Sequence, residues 1–183
     1  MSIEKDLEFA RANCERLIAS FPDKLARQEA SIHGRLAAAK ISPLKKLAAV
    51  YDMLDSINAH IHKVSPCRKG CSSCCHYAVS ISEIEIKFIE AHSKHRRSKA
   101  ILPKRDFHGT ACPFLNDNEC SIYSVRPYLC RRHHSLAPDA QWCMPDVAFE
   151  GSFARLESSE LELAVDQLRA GSVSFDIRQI FTS

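Results

Sequence analysis

The residues best equipped for chemistry in this chain are its cysteines. Four of the nine fall between positions 67 and 75, as Cys67, Cys71, Cys74 and Cys75, and four more follow at Cys112, Cys120, Cys130 and Cys143. Only Cys14 stands apart. Thiolate is a soft ligand that suits zinc, copper(I) and iron–sulfur clusters. Cys71-Ser-Ser-Cys74 is a C-x-x-C unit, short enough to put two sulfurs on one metal. Cys67 lies four residues earlier, so one helical turn would carry its sulfur to the same side. Neighbouring Cys74 and Cys75 point about 100° apart on a helix and to opposite sides of a strand. They are therefore expected to serve different metal atoms. Eight thiolates make two sets of four, the ligand number of a closed zinc site and of common iron–sulfur clusters. The eight clustered cysteines are the expected metal ligands, with an Fe–S cluster or Zn2+ as the cofactor. An even eight also suits a disulfide framework. Two features argue against that reading: no export signal is visible, and the adjacent pair Cys74-Cys75 is awkward to bridge to separate partners.

The fuller pattern is more specific. It runs Cys67-x3-Cys71-x2-Cys74-Cys75, then Cys112-Pro-Phe-Leu115, then Cys120-Ser-Ile-Tyr123-Ser-Val-Arg126-Pro127-x2-Cys130-Arg131. This resembles the YkgJ-type cysteine-cluster proteins, a family described as zinc- or iron-chelating. The likeness covers roughly residues 67 to 143, and Cys143 matches a later cysteine that many members carry. The chain departs from the pattern by opening with x3 rather than x2, and by placing His133-His134 where an aromatic residue often follows Cys-Arg. Similar domains occur in bacterial flagellin lysine methylases, but no substrate-site residue here carries that activity over. The spacing Cys67-x3-Cys71-x2-Cys74 also matches radical-SAM enzymes. In those an aromatic residue usually precedes the last cysteine, where this chain has Ser73. No glycine-rich SAM-binding segment or train of alternating strands and helices follows, so that reading is rejected.

Other groups in the segment have expected parts. Arg126 and Arg131 flank ligands, and guanidinium donors would offset the negative charge of several thiolates and fix sulfur orientation, making both cofactor-binding residues. Tyr123 is expected to pack beneath the site. His76, His133 and His134 carry imidazoles that zinc accepts, but eight thiols already suffice, so these are read as exposed or supporting groups.

These residues must be held by the rest of the chain, which reads as mainly α with a small β-hairpin. Ile3, Leu7, Ala10, Cys14, Leu17 and Phe21 recur at steps of four and three on one helical face, and Cys14 belongs to that stripe as a small buried hydrophobe. A second helix is expected from about Asp23 to Lys40, with Leu25, Ile32 and Leu36 inward. Ser42-Pro43 starts a third, Ser as N-cap and Pro at the first helical position. Leu44, Leu47, Tyr51, Leu54, Ile57 and Ile61 follow at helical spacing and deliver the chain into the cysteines. Beyond them Tyr77, Val79 and Ile81 alternate as a short strand. Ser82-Glu-Ile-Glu85 is a capping box opening a helix to about His95. Asn116-Asp-Asn-Glu119 marks a hairpin with a cysteine on each arm. A second capping box, Ser159-Glu-Leu-Glu162, opens a helix that Gly171 ends, before a terminal strand through Val173, Phe175 and Ile177.

The expected organisation is one domain over 1–183, with an N-terminal helical bundle at 1–64 packed on a cysteine-rich metal-binding half at 65–145. Residues 146–183 add a C-terminal helix and strand. Leu7, Leu17, Leu47, Leu54 and Ile61 are expected to be buried. At 183 residues the chain can bury a core without covalent help. A formal charge of +3 is too small to imply nucleic acid or a membrane surface, and the run Lys94–Lys99 reads as a solvated helix end. No apolar stretch is long enough to span a membrane, and the N-terminus lacks a signal core. The expected compartment is the cytoplasm, and the expected partner is a metal ion or cluster, with room for a protein partner. No hydrolase triad, phosphate loop or dinucleotide fingerprint is present. No catalytic residue is assigned, and whether the chain is an enzyme stays open. The two function classes carried forward are an Fe–S protein with a redox or protein-modifying role, and a structural zinc-binding interaction module without catalysis.

Overall fold

The computed structural model describes residues 2–68, 70–147 and 153–182. Helix α1 (Ile3–Ala19) turns Ala10 and Leu17 into the core. Leu7, expected beside them, is half-buried, and Asp6 and Asn13 are buried in its place. The reason is tertiary: Asp6 accepts from the Trp142 indole at 2.9 Å, and the Asn13 amide donates to the Leu136 carbonyl at 2.9 Å. The expected second helix is two, α2 (Asp23–Ala30) and α3 (Ile32–Ala38). They part at Ser31, whose hydroxyl donates back to the carbonyls of Arg27 and Gln28, competing with the helical ladder.

Helix α4 (Pro43–Ile61) is the centre of the molecule. Ser42 caps it, accepting from the Lys45 amide at 3.4 Å. Leu47, Leu54, Ile57 and Ile61 are buried on its inner face, each contributing on the order of 1.5–3 kcal/mol of transfer free energy. It packs against α5 (Glu83–His92), α6 (Tyr128–Arg132) and α7 (Ser159–Arg169), while α3 packs on α7. One buried apolar cluster thus runs from Ala10 and Leu17 through α4 to Ile177 and Phe181, joining the first helices to the cysteine-rich half.

The β-structure is small. Strand β1 (Ser80–Ser82) pairs antiparallel with β4 (Ser174–Asp176), Ile81 opposite Phe175. The hairpin joins β2 (Leu115–Asn116) to β3 (Glu119–Cys120), with Asp117 and Asn118 at φ of 47° and 61°. Two successive left-handed residues are what a tight hairpin turn demands, and Asp and Asn tolerate them better than most. The terminal strand stops at Asp176, which caps the short α8 (Ile177–Ile180) instead of continuing.

Glu85 ties four elements together. Fully buried at the start of α5, it accepts from the amide and hydroxyl of Ser82, at 2.9 and 2.8 Å. It also accepts from the Tyr128 amide at the start of α6 and from Arg169 at the end of α7, both at 3.0 Å. The fold is mainly helical with small β elements, and none of the described helices is long and apolar enough to cross a membrane.

Candidate metal centre

Helix α4 ends at Ile61, six residues before Cys67, and the chain is then held by polar contacts. Ser65 donates to the Ser135 carbonyl at 2.6 Å and accepts from the Cys67 amide at 3.1 Å. The expected helical turn from Cys67 to Cys71 is not formed. Cys71 N–H instead donates to the Arg68 carbonyl at 3.0 Å across Gly70, whose φ of 88° makes this a tight turn that favours glycine. Cys74 and Cys75 follow on a short 3-10 helix, Ser73–His76.

The later cysteines are brought to this loop by contacts far apart in sequence. Cys112 N–H donates to the Cys75 carbonyl at 2.8 Å. Arg178, only 5 % exposed, donates to that same carbonyl at 2.9 Å and to the carbonyls of Thr110 and Ala111, while Asp176 pairs with its guanidinium. Cys120 sits on β3 and Cys130 on α6. Cys143 ends a 3-10 turn, and its carbonyl accepts from the Tyr77 hydroxyl at 2.6 Å. Ser135 N–H donates to the Cys67 sulfur at 3.3 Å. Neither Arg178 nor Tyr77 was singled out in the sequence as part of the site. A lone arginine 35 positions beyond the last clustered cysteine leaves no motif to find it by.

The thiols act on one another electrically. Cys74 is held far above an ordinary thiol, first by its hydrogen bond with Cys75 and then by burial. Burial raises Cys130 strongly, with the charges of Cys74, Cys112 and Cys120 adding to it. Burial pushes Cys143 up to about 11, and the charges of Cys67, Cys71 and Cys74 push the same way. Cys112 rises to about 11, chiefly by burial, and Cys120 rises for the same reason. Cys71 rises through burial and the charges of Cys67 and Cys74. Two groups therefore emerge: Cys67, Cys71 and Cys143 on one side, Cys112, Cys120 and Cys130 on the other, with Cys74 in reach of both. The donor set fits a soft cation, since replacing several crowded protons by one metal charge removes the repulsion that keeps these thiols neutral.

Cys71, Cys74, Cys75, Cys112, Cys120 and Cys130 line one cleft of about 630 Å³. Among the described residues, no three Cys, His, Asp or Glu side chains are placed so that they could hold a metal ion together. Cys14 packs in the α1 stripe against the core, its thiol 3.8 Å from the Arg155 carbonyl.

Arg126 lies over the exposed Tyr123 ring, 4.0 Å from its centroid, and its charge lowers Cys74, Cys120 and Cys130. Tyr123 is 42 % exposed, so it covers the arginine from outside rather than packing beneath the sulfurs. Arg131 is buried and spends its guanidinium on Asp55 at 2.5 Å, on the Arg126 carbonyl at 2.9 Å and on the Ser124 carbonyl. It thereby fixes the backbone between Cys120 and Cys130. His134 is buried with both ring nitrogens engaged, by the Arg132 carbonyl and the Leu156 amide. His133 stands edge-on to Tyr77, at 5.4 Å between centroids, and its buried Nε2 has no partner.

The same stretch is recognised by comparison with known proteins. Residues 66–147 match the family model CxxCxxCC, whose description reads "Putative zinc- or iron-chelating domain". No curated protein and no solved structure matches the chain. The match spans all eight clustered cysteines, from the turn that follows α4 to the loop that carries Cys143. By this match, residues 66–147 of the chain are similar to the CxxCxxCC family of zinc- or iron-chelating domains.

Proposed function

We propose that the metal is iron, held as an iron–sulfur centre by all eight clustered cysteines. The observation that carries this reading is the position of Cys74, within electrostatic reach of Cys71 and Cys143 on one side and of Cys120 and Cys130 on the other. A sulfur common to both groups suits a multinuclear centre better than two independent closed zinc sites. The favoured division has Cys67, Cys71, Cys74 and Cys143 in one set and Cys75, Cys112, Cys120 and Cys130 in the other. Bound iron–sulfur chemistry would supply one-electron transfer. The chain's own part is to crowd the thiols, clamp their two loops together and place Arg126 where it offsets their charge. Such a centre serves either an electron carrier or an enzyme that modifies a protein, in the cytoplasm where thiols stay reduced.

The test is the metal, acid-labile sulfide and colour of protein purified without oxygen. Brown protein with iron and sulfide is the expected result. Colourless protein with stoichiometric zinc and no sulfide would replace this reading by the structural zinc module. In a series of Cys→Ser variants, Cys71, Cys74 and Cys143 should each lower metal content, and Cys14 should not. Loss at Cys14 together with retention at Cys71 would overturn the ligand assignment.

A further inference from the structure

The small net charge of the chain conceals a local one. Between Ser93 and Arg105 lie six of its 25 Lys and Arg and none of its 22 Asp and Glu, which leaves 19 basic against 22 acidic residues elsewhere. Arg97 is committed to Glu83 and Glu90, at 2.9 and 2.8 Å. Lys94, Arg96, Lys99, Lys104 and Arg105 are exposed, and none of them has a carboxylate partner among the described residues. Asp106, the next acid in the chain, accepts from the His108 amide at 2.8 Å.

Solvated cations alone are ordinary surface, but here they flank an apolar pair. Ile101 and Leu102 are 56 % and 38 % exposed, and every residue from Lys99 to Asp106 is exposed with them. The backbone beneath them is anchored. Ser98 N–H donates to the Ile180 carbonyl at 2.8 Å, and Leu102 N–H donates to the Gln179 carbonyl at 3.0 Å. The buried Gln179 side-chain amide donates back to the Leu102 carbonyl at 2.9 Å. Both backbone groups of Leu102 are thus fixed to α8, while its side chain and that of Ile101 stay in water. At the far end Arg105 lies over the ring of buried Phe107, 4.9 Å from its centroid.

We propose that Lys99–Arg105 is a docking loop for an anionic lipid surface. Ile101 and Leu102 enter the boundary between head groups and acyl chains, and Lys99, Lys104 and Arg105 meet the anionic head groups around them. Lys94 and Arg96 add to the attraction. Apolar insertion and basic attraction are the two signals that together hold a protein on a membrane it does not span. Other partners fit the loop less well. Its exposed apolar side chains are aliphatic, so they offer nucleic-acid bases no ring to stack on. Seven residues fall far short of the roughly 20–30 a side of a specific protein interface, whereas a fluid lipid surface needs no complementary shape.

Co-sedimentation of the metal-loaded protein with vesicles tests this, whichever metal the cysteines hold. Phosphatidylcholine vesicles with about one-third phosphatidylserine should carry the protein down, and pure phosphatidylcholine should not. Raising the salt from about 0.1 M to 1 M shortens the Debye length from about 10 Å to 3 Å and should release most of it. Lys104→Gln with Arg105→Gln should weaken vesicle binding about tenfold or more. Ile101→Ser with Leu102→Ser should weaken it about tenfold or more at unchanged charge. Lys5→Gln with Lys24→Gln removes the same charge from exposed sites outside the loop and should leave binding close to the parent's. All six positions are exposed, and circular dichroism of each variant checks that the fold is kept. No binding to the anionic vesicles, equal binding to the neutral ones, or an equal loss in the Lys5 and Lys24 variant would overturn the proposal. Indifference to the Ile101 and Leu102 change would also overturn it, and tighter binding of an RNA oligonucleotide than of the vesicles would name nucleic acid as the partner instead.

Discussion

Replacing Glu85 by Ala gives the sharpest test of how the fold supports the cysteines. The carboxylate is fully buried and accepts from Ser82, Tyr128 and both Nε and Nη2 of Arg169, at 2.8 to 3.2 Å. Its removal leaves the Arg169 guanidinium, 21 % exposed, without its counter-charge. The amides of Ser82 and Tyr128 lose their acceptor in the interior as well. Breaking one partner of a buried pair costs about 3–5 kcal/mol, and this site sits at the upper end because two backbone donors are stranded too. In a chain of this size each kcal/mol moves the melting midpoint by about 2–4 °C, so the midpoint should fall by roughly 6–20 °C. The assay is thermal unfolding followed by circular dichroism, with denaturant titration for the free energy, both at fixed metal content. Because Tyr128 opens the helix that carries Cys130, hydrogen exchange should rise at the α6 amides in the same variant. The double change Glu85→Met with Arg169→Met should recover part of the loss, since no buried charge is then left alone. A single Glu85→Ala variant within about 0.5 kcal/mol of the parent would refute the reasoning.

Other outcomes follow from the same contacts. His134 is buried, and burial pushes its imidazole down to about 4, so the folded state prefers the neutral ring. Its contribution is complete above the unfolded value of about 6.5 and is lost as pH falls through that value toward 4, on the order of 1–2 kcal/mol by pH 5. Denaturation at pH 7.5 and 5, at fixed metal content, should show this loss together with a like one from His133, which burial also pushes down to about 4; His134→Gln should remove about half of it, and an unchanged pH dependence in that variant would refute it. Arg178→Met should free the Cys75 and Thr110 carbonyls, speed exchange at the Cys112 amide and weaken metal binding about 10–100-fold. An unchanged affinity would show the clamp to be irrelevant to the site. Chelation should loosen residues 67–143 more than α1 or α4, because a site absent from the unfolded chain converts metal-binding free energy into folding free energy. Uniform exchange across the chain after verified metal removal would contradict that.

Some of this molecule is written locally and can be read without coordinates. The α1 and α4 stripes, the Ser42-Pro43 start, the pairing of Ser82 with Glu85 and the Asp117-Asn118 turn all rest on contacts within a few residues. Steric and hydrogen-bonding preferences at that range depend on little else. The cysteine spacing is local in the same sense, and it named the family's chemistry. Other features depended on groups that meet only in the folded chain. Nothing near Glu85 signals Arg169, and nothing near Cys75 signals Arg178. A charged side chain leaves no periodic trace of a partner a hundred positions away. Strand β1 is too short to declare its partner, and its pairing with β4 is fixed by Asp176, which accepts from the Val79 amide at 2.8 Å. The helical turn expected between Cys67 and Cys71 gave way to a glycine turn, and Leu7 yielded its place to Asp6 because Trp142 offered a buried donor. Which cysteines to expect as ligands could thus be named from type and spacing, whereas their placement relative to one another was decided by long-range packing, which alone brings sulfurs from two distant segments into one cleft.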